Sequence, residues 1–327
     1  MNTVAKPLLS IRMMLAWIIA LTLPATFAEA ADSYPVKPVS IVVPYAAGST
    51  TDLAGRVFAH ALTKQLGQSV VIVNRPNTVQ GEIEVGRERP DGYTLGFFGT
   101  GAFTLAKQLL SVYPDPANFE LLVQLIAESR VLGVSEKSGF KTVKEVMDYG
   151  RKNPKQLLVA INPGTTSHLD TVTIMKAMGI EANYIPFKSG AQRAVAVTGG
   201  HVQVTVDSIA SLRPHADAGK IRILGVAAPQ RNEMYMDIPT LREQGVDADS
   251  LNIIGVFAPK GVPESVLQTL EAGFEKAAKD PELLEQMRKV SQRPAFLNRR
   301  DFAKSFAEES TRIATIAKEL NLGAQKK

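Results

Sequence analysis

Apolar and polar positions follow two different rhythms along this chain. Residues 39–43 and 70–73 are short, continuous apolar runs, which predict buried strands. Between them, apolar side chains recur every three or four residues from 53 to 66, which predicts an amphipathic helix. A strand, a helix and a second strand in immediate succession form a βαβ unit, so the chain is predicted to begin with a parallel sheet.

The helix between these strands carries its own start and stop signals. Thr51 or Asp52 is predicted to cap its N-terminus, and Gly67 is predicted to end it. A third strand is predicted at residues 93–98, after the turn Pro90-Asp91-Gly92. Because ligands collect beyond the carboxyl ends of parallel strands, the loops after these strands are the first places to look for a site.

The alternation begins again at residue 131 and predicts a second α/β lobe. Its strands are predicted near 131–134, 157–161, 184–187, 202–206 and 221–227, and its helices near 143–150, 166–178, 191–198 and 208–218. Residues 251–258 then predict a strand that returns to the first lobe, followed by three helices beginning near residues 263, 281 and 300. We therefore predict a first lobe of residues 31–130 with 252–327, and a second lobe of residues 131–251.

The first thirty residues have the pattern of an export signal. Lys6 and Arg12 give a basic start, residues 13–23 are apolar, and Ala28 and Ala30 are small residues at the two positions that define a cleavage site. The apolar segment is shorter than the roughly 20 residues of a spanning helix, which disfavours a permanent anchor. We predict cleavage after Ala30 and a periplasmic protein.

Composition narrows the possible chemistry. The formal net charge of +5 can attract small anions, but the basic residues are scattered, so nucleic acid is not an expected partner. The chain has no cysteine, which excludes disulfides, thiolate zinc sites and a cysteine nucleophile. Its four histidines are isolated from one another, so neither a metal nor a cofactor is predicted.

Three polar loops that each open a predicted helix carry the candidate binding groups. They span residues 44–52, 162–168 and 186–190 and are rich in small and hydroxyl side chains. Backbone N–H groups at a helix N-terminus suit a carboxylate or a phosphate. Each loop alone could equally be a capped helix start, yet their occurrence in both lobes favours a ligand held in a cleft. The first loop is not a nucleotide P-loop, because no Gly-Lys-Ser or Gly-Lys-Thr follows it.

Several short segments with a distinctive composition follow one another through nearly the whole chain after residue 30. They are Tyr34-Pro35-Val36-Lys37-Pro38, Pro44 to Asp52 with Arg56, Asn74-Arg75-Pro76, Pro90 to Leu95, Gly164 to Leu169, Ile185 to Gly190, Ala218 to Arg222, Ile238-Pro239-Thr240 and Phe257 to Pro263. In this order they resemble the tripartite tricarboxylate transporter substrate-binding proteins, also called the Bug family.

The resemblance implies an α/β fold of two lobes, the type II periplasmic-binding-protein fold, with a mainly parallel sheet flanked by helices in each lobe. It implies a small carboxylated ligand, delivery to two membrane subunits of an ion-driven carrier, and action as a monomer. In the family the carboxylate is held largely by backbone amides, hydroxyls and water. The matching positions here are Tyr45, Ala47, Gly48, Ser49, Thr50 and Thr100 in the first lobe and Gly164, Thr165, Thr166, Ser189, Gly190 and Asp207 in or near the second.

Two departures from the family pattern leave the ligand open. The first loop has Gly48-Ser49 where consecutive glycines are usual, and residues 77–81 replace a glycine-rich run. Tyr45 either flanks the ligand or packs. A sensor that presents the bound acid to a receptor kinase would use the same fold, and the sequence does not separate it from a transport receptor.

A hydrolase is the contrasting hypothesis. Ser49 or Ser167 could in principle act with His168 and Asp207, but no Gly-x-Ser-x-Gly elbow is present. Adjacent residues on a helix also cannot be assumed to face each other. The sequence therefore favours a binding protein over an enzyme.

Overall fold

A computed structural model of the protein describes residues 34–109, 111–163 and 165–319. The chain divides into a unit that ends at Val36 and a compact unit that begins at Lys37, and every element named below lies in the latter. The predicted signal peptide and its cleavage site lie outside the described residues. Within the described ranges, no helix combines the length and apolar character needed to cross a membrane.

Ten strands are present in the described residues. They are β1 (Val39–Val43), β2 (Val70–Asn74), β3 (Thr94–Gly99), β4 (Phe119–Glu128), β5 (Val131–Ser135), β6 (Leu158–Ile161), β7 (Asn183–Pro186), β8 (Val204–Asp207), β9 (Ile221–Val226) and β10 (Asn252–Pro259).

The helices of the described residues flank these strands. They are α1 (Thr50–Leu66), α2 (Thr78–Val85), α3 (Gly101–Thr104), α4 (Ala106–Leu109), α5 (Val143–Lys152), α6 (Thr166–Ala177), α7 (Gly190–Gly199), α8 (Ile209–Asp217), α9 (Glu264–Ala278), α10 (Pro281–Lys289) and α11 (Arg299–Glu319). Short 3₁₀ turns occupy Pro116–Asn118, Glu136–Ser138, Glu233–Tyr235 and Arg242–Gln244.

The first sheet has the strand order β2-β1-β3-β10-β4. Strand β1 pairs in parallel with β2 and with β3, as the predicted βαβ opening requires. Strand β10 returns from the far end of the chain and pairs antiparallel with β3 and β4. Four strands of this sheet therefore run in one direction and β10 runs in the other.

The second sheet repeats this arrangement with the order β7-β6-β8-β5-β9. Strand β6 is parallel to β7 and β8, whereas β5 is antiparallel to β8 and β9. Each sheet is thus mainly parallel with one reversed strand, and helices flank both. The predicted fold class is confirmed.

The chain passes between the sheets at residues 129–130 and again at 250–251, which we call the crossover. The Arg130 N–H donates to Ser250 Oγ at 2.7 Å, and the Ala227 N–H donates to the Arg130 carbonyl at 2.8 Å. The two passages are therefore bound to each other through the end of β9. Lobe limits near residues 130 and 251 remain our proposal, and the position of the crossover supports them.

A cluster of phenylalanines fixes the C-terminal helix on the first sheet. Phe98 and Phe257 stack with ring centroids 4.5 Å apart, and Phe302 of α11 lies 5.8 Å from Phe257. A methyl group on Gly255 would come within 2.5 Å of the Phe302 ring, so glycine is required for this approach. Burial of these rings stabilises α11 on the first sheet.

The predicted elements agree with the structure to within three residues at their ends, with two kinds of correction. The cap of α1 is Ser49, whose Oγ accepts the Asp52 N–H, and not Thr51 or Asp52 as predicted. Gly67 ends α1 in the left-handed conformation, with φ of 67°, as predicted. Strand β4 and helices α2, α3 and α4 were not predicted.

Candidate functional site

The site predicted from the sequence lies where the carboxyl ends of the two sheets meet. The loops after β1 and β3 share one edge of the first sheet, because these strands are parallel neighbours. The loops after β6, β7 and β8 share the corresponding edge of the second sheet. A methyl group added to Gly101 would lie 2.6 Å from Thr166 Cγ2, so the two edges are in contact at the starts of α3 and α6.

The loop between β1 and α1 is shaped by its own hydrogen bonds. Ala47 and Gly48 are exposed, and Gly48 has a φ of 79° that favours glycine. The Gly48 N–H donates to Asp52 Oδ2 at 2.8 Å, so this predicted ligand donor is used within the loop. The first N–H groups of a helix have no intrahelical acceptor. In the described part of the chain the Ala47 and Thr50 N–H groups have no hydrogen-bond acceptor.

The buried carboxylate of Asp52 fixes the conformation of this loop through three hydrogen bonds. Its side chain accepts hydrogen bonds from Arg56 Nε at 3.1 Å and from Asn74 Nδ2 at 2.8 Å, besides that from Gly48. Burial by itself would raise the pKa of Asp52, but Arg56, the Gly48 N–H and Asn74 outweigh it and lower the pKa. Asp52 therefore stays ionised and holds the start of α1 against β2.

Tyr45 and Thr100, the other predicted first-lobe residues, are more enclosed. Burial, together with the carboxyl of Glu82, raises the pKa of the Tyr45 phenol, which stays protonated. Burial also raises the pKa of Glu82 well above its usual value. Thr100 is completely buried, and its hydroxyl donates to the Ile253 carbonyl at 3.3 Å. Thr100 is thus held against β10 and presents no side-chain group to solvent.

Two loops of the second lobe place hydroxyl groups at helix starts. Thr165 Oγ1 donates to the Asn162 carbonyl at 2.7 Å and lies 3.0 Å from Ser167 Oγ. Ser189 caps α7, because its Oγ accepts the Gln192 N–H at 3.2 Å. Gly164, also predicted to bind the ligand, lies outside the described residues.

Asp207 is buried at the end of β8 and holds an arginine. Arg193 donates to Asp207 Oδ2 from Nη2 at 2.7 Å and from Nε at 3.0 Å. Asp207 Oδ1 accepts the Ser208 N–H at 2.8 Å. A methyl group on Gly190 would lie 3.1 Å from Asp207 Oδ2, so the start of α7 passes directly over this ion pair. Asp207 therefore contacts the predicted ligand loop at Gly190 and holds Arg193 in place beside it.

Thr166 belongs to a hydrogen-bonded chain that reaches the crossover. Arg130 Nη2 donates to Thr166 Oγ1 at 3.3 Å, and Thr166 Oγ1 donates to Asn252 Oδ1 at 3.3 Å. Asn252 Nδ2 in turn donates to Glu128 Oε1 at 3.3 Å. The Thr166 hydroxyl is therefore engaged between the second lobe and β10, and Thr166 is only 8% exposed.

Three charged residues beside the predicted ligand positions were missed from the sequence, and each had a signal. Arg130 is the single basic residue between two apolar strands. Asp170 and Arg193 stand four positions after the predicted residues Thr166 and Ser189, and residues four apart share a helix face. Charged side chains at these positions are buried, which for arginine and aspartate is unusual unless they are paired.

The described residues do not form a hydrolase constellation of Ser49 or Ser167 with His168 and Asp207. Ser49 Oγ caps α1, and Ser167 Oγ lies beside Thr165 Oγ1. Neither serine hydrogen-bonds a histidine within the described ranges. Burial lowers the pKa of His168, so its ring is neutral near pH 7. The groups present can bind and orient an anion.

These features agree with a match of residues 54–322 to the tripartite tricarboxylate transporter family receptor, TctC. The chain belongs to this family. Its curated relatives include the "UPF0065 protein in gbd 5'region" of Cupriavidus necator, 31% identical over 308 residues that cover 93% of this chain and 94% of the relative. The family consists of solute-binding receptors rather than enzymes.

Two solved structures extend the likeness of this TctC-family chain to the whole fold. R. palustris Rpa4515, solved with adipate, is 27% identical with a TM-score of 0.82, over 87% of this chain and 97% of that one. The periplasmic binding protein BugD is 26% identical with a TM-score of 0.79, over 89% of this chain and 99% of that one. The predicted family and two-lobed fold are both confirmed.

A cavity of about 750 Å³ lies beside α8 and α10. It is lined by residues of α8, α10 and the following loop, including Arg213, Arg288 and Arg293, and by none of the predicted ligand residues. These three arginines are paired with Asp217, Glu285 and Glu233. The cavity is therefore separate from the edge where the polar helix-opening loops of both lobes meet.

Proposed function

We propose that this protein captures a small organic acid between its two lobes and delivers it to the two membrane subunits of a tripartite tricarboxylate-type transporter. The observation that carries the proposal is the meeting of the two sheet edges at Gly101 and Thr166. Helices α1, α6 and α7 all begin at these edges, and their N-termini favour negative charge.

The binding groups of the proposed site come from both lobes. Ala47 and Thr50 contribute backbone N–H groups of the first loop, and Thr165, Ser189 and Gly190 contribute the helix starts of the second lobe. Tyr45 forms an apolar wall beside the first loop. The likeness to a structure solved with adipate supports an acid as the ligand.

We further propose that the protein is exported and then docks on the membrane carrier. Cleavage after Ala30 would release a periplasmic monomer that closes on its ligand and then docks on the carrier. In this scheme the closed, ligand-bound form is the species that the membrane subunits recognise. No residue acts as a catalyst.

Thermal unfolding of the mature chain against a panel of mono-, di- and tricarboxylates, amino acids, aromatic acids and phosphates tests the ligand class. A ligand at a hundredfold excess over its Kd stabilises the folded state by about 2.7 kcal/mol, which raises the midpoint visibly. We expect a selective rise with one class of acid. Flat curves across the panel, after bound ligand has been removed by unfolding and refolding, would contradict the proposal.

Affinity capture from membranes tests the partner. Tagged protein should retain multi-span membrane subunits in the presence of the stabilising acid and lose them without it. Retention of a receptor kinase instead would favour the sensing role.

A further inference from the structure

Arg130 is a buried cation at the point where the chain passes between the lobes. Only 7% of the residue is exposed, and its backbone is fixed by Ser250 and Ala227. Its side chain extends to the first turn of α6 and the end of β8, because it contacts Thr166 and approaches Asp207. The guanidinium therefore lies beside the proposed ligand site on the second-lobe side.

The guanidinium of Arg130 is loosely paired for a buried charge. Its hydrogen bonds to Thr166 Oγ1 and to Asp170 Oδ2 are 3.3 Å and 3.5 Å long, near the upper limit for such bonds. Its Nη1 lies 4.0 Å from Asp207 Oδ1, beyond hydrogen-bond distance. A guanidinium offers five N–H donors, and within the described ranges only Nε and Nη2 of Arg130 form hydrogen bonds from the side chain.

Asp207 is hydrogen-bonded to Arg193 and lies only at the 4.0 Å limit of an ion pair with Arg130. Both hydrogen bonds of the Arg193–Asp207 pair end on Asp207 Oδ2, at 2.7 Å and 3.0 Å, and are shorter than those made by the Arg130 side chain, at 3.3 Å and 3.5 Å. Arg193 is 3% exposed, and its Nη1 has no hydrogen-bond partner among the described residues. Two buried arginines with unmatched N–H donors thus flank one carboxylate directly beneath the start of α7.

We propose that Arg130 receives a second acidic group of the ligand and thereby selects dicarboxylates over monocarboxylates. This inference rests on the proposed function, in which the helix-opening loops hold one carboxylate. A guanidinium fork binds a carboxylate through two parallel hydrogen bonds, and such charge-assisted bonds are about twice as strong as neutral ones. A ligand with one carboxylate would leave either the loops or Arg130 without an anion.

Asp170 competes with the ligand for Arg130. It is 3% exposed and lies one helical turn beyond Thr166, where Arg130 and Arg312 are its cationic neighbours and Glu309 its acidic one. A ligand carboxylate that approaches Arg130 takes over donors that Asp170 holds only at 3.5 Å. Removal of the Asp170 charge should therefore tighten the grip of Arg130 on the ligand.

Calorimetric titration of the mature protein with succinate, glutarate and adipate, each beside its own monoamide, tests the proposal. We expect wild-type protein to bind at least one diacid about tenfold or more tightly than its monoamide. Arg130→Gln should reduce that ratio to near one by weakening diacid binding, with monoamide affinity unchanged. Arg130→Lys, which keeps the charge without the fork, should fall between the two.

Arg213→Gln is the matched control, since it removes a half-exposed guanidinium of the second lobe that is paired with Asp217. It should leave the ratio of diacid to monoamide affinity at the wild-type value.

Equal loss of diacid and monoamide binding in Arg130→Gln, with an unchanged thermal midpoint, would overturn the proposal. Arg130 would then be a residue that positions the lobes. A wild-type protein that binds monoamides as tightly as diacids would overturn it too, but would leave the proposed function standing. Absence of binding to every acid would count against the proposed function itself.

Asp170→Asn gives a test in the opposite direction. It leaves Arg130 in place and should tighten diacid binding severalfold, with little effect on the monoamide. Weaker diacid binding in a folded Asp170→Asn protein would contradict the competition on which the proposal depends.

Discussion

Glu309 is a buried carboxyl whose protonation is linked to folding. It is 3% exposed, and burial raises its pKa to about 7, an effect that Thr100 and Arg312 partly oppose and the charge of Asp170 reinforces. Asp170 itself has its pKa raised to about 6, chiefly by burial. Both groups are thus more easily protonated in the folded chain than in the unfolded one.

Replacement of Glu309 by glutamine should make the protein more stable than wild type at high pH only. The stability linked to a raised carboxyl pKa is fully present below the unfolded value near 4.5 and is lost as the pH rises through 7. The difference in unfolding free energy between Glu309→Gln and wild type should therefore grow from pH 5 to pH 8. Urea denaturation at each pH measures it.

Glu308→Gln is the control, because Glu308 is the neighbouring exposed residue on the same helix. Its stability should follow the wild-type pH dependence. A constant offset between Glu309→Gln and wild type at every pH would show that the carboxyl does not titrate in this range.

The helix-opening loops of the candidate site could be predicted from the sequence, but the partners of their side chains could not. Ser189 and Gly190 lie at a helix start as expected, because capping is a local property of the chain. The pairing of Asp207 with Arg193, and the approach of Arg130 to both, depend on strands and helices far apart in sequence. Spacing along the chain can place Arg193 on the helix face of Ser189, but it does not identify the partner that a distant strand supplies.

At the scale of elements, the start of α1 offers a direct test of capping. Ser49→Ala should lower the free energy of unfolding by about 1 kcal/mol, because it removes the oxygen that accepts the Asp52 N–H. Thr51→Ala, at the position predicted from the sequence as a cap, should have a much smaller effect. Chemical denaturation of both variants decides between them. Equal losses would mean that Ser49 is not the cap.

Strand β4 escaped prediction because its sequence is ambiguous. Phe119–Glu128 is an almost continuous apolar segment, and such runs fit a buried strand or a buried helix equally well. Its central polar residue, Gln124, is accommodated by the Ala295 carbonyl and the Ser305 hydroxyl, both supplied from the C-terminal region. Pairing with β10 fixes β4 as a strand, and that partner lies more than a hundred residues away.

Helix α2 escaped prediction for a different reason. Its eight residues include β-branched side chains and a glycine, and Asn77 makes no side-chain capping bond. Tertiary contacts hold it instead, since a methyl group on Gly81 would lie 3.0 Å from Pro44 Cβ. The segment that departs from the family's glycine-rich run is therefore a packed helix against the first loop.

At the scale of the whole molecule, α11 joins the two lobes. Its Phe302 end packs on the first sheet, while Ile313 contacts Leu169 of α6 and Leu105 in a small buried cluster. Ile313 is completely buried, and Leu169 is 1% exposed. The helix thus spans from the core of one lobe to the first turns of a helix in the other.

Ile313→Ala should loosen the contact between the lobes. Loss of a buried isoleucine side chain costs about 2–5 kcal/mol when its surroundings cannot relax, and here the lobes can relax by moving apart. We expect the ligand-free variant to have a larger radius of gyration by small-angle X-ray scattering, because the population shifts toward a more open arrangement. Leu270→Ala is the control, since Leu270 is equally buried but lies within α9 of the first lobe. It should destabilise the protein without changing the radius of gyration.

An unchanged radius of gyration in Ile313→Ala would contradict this role of α11. It would mean that the crossover and the Arg130–Thr166–Asn252 hydrogen bonds set the distance between the lobes.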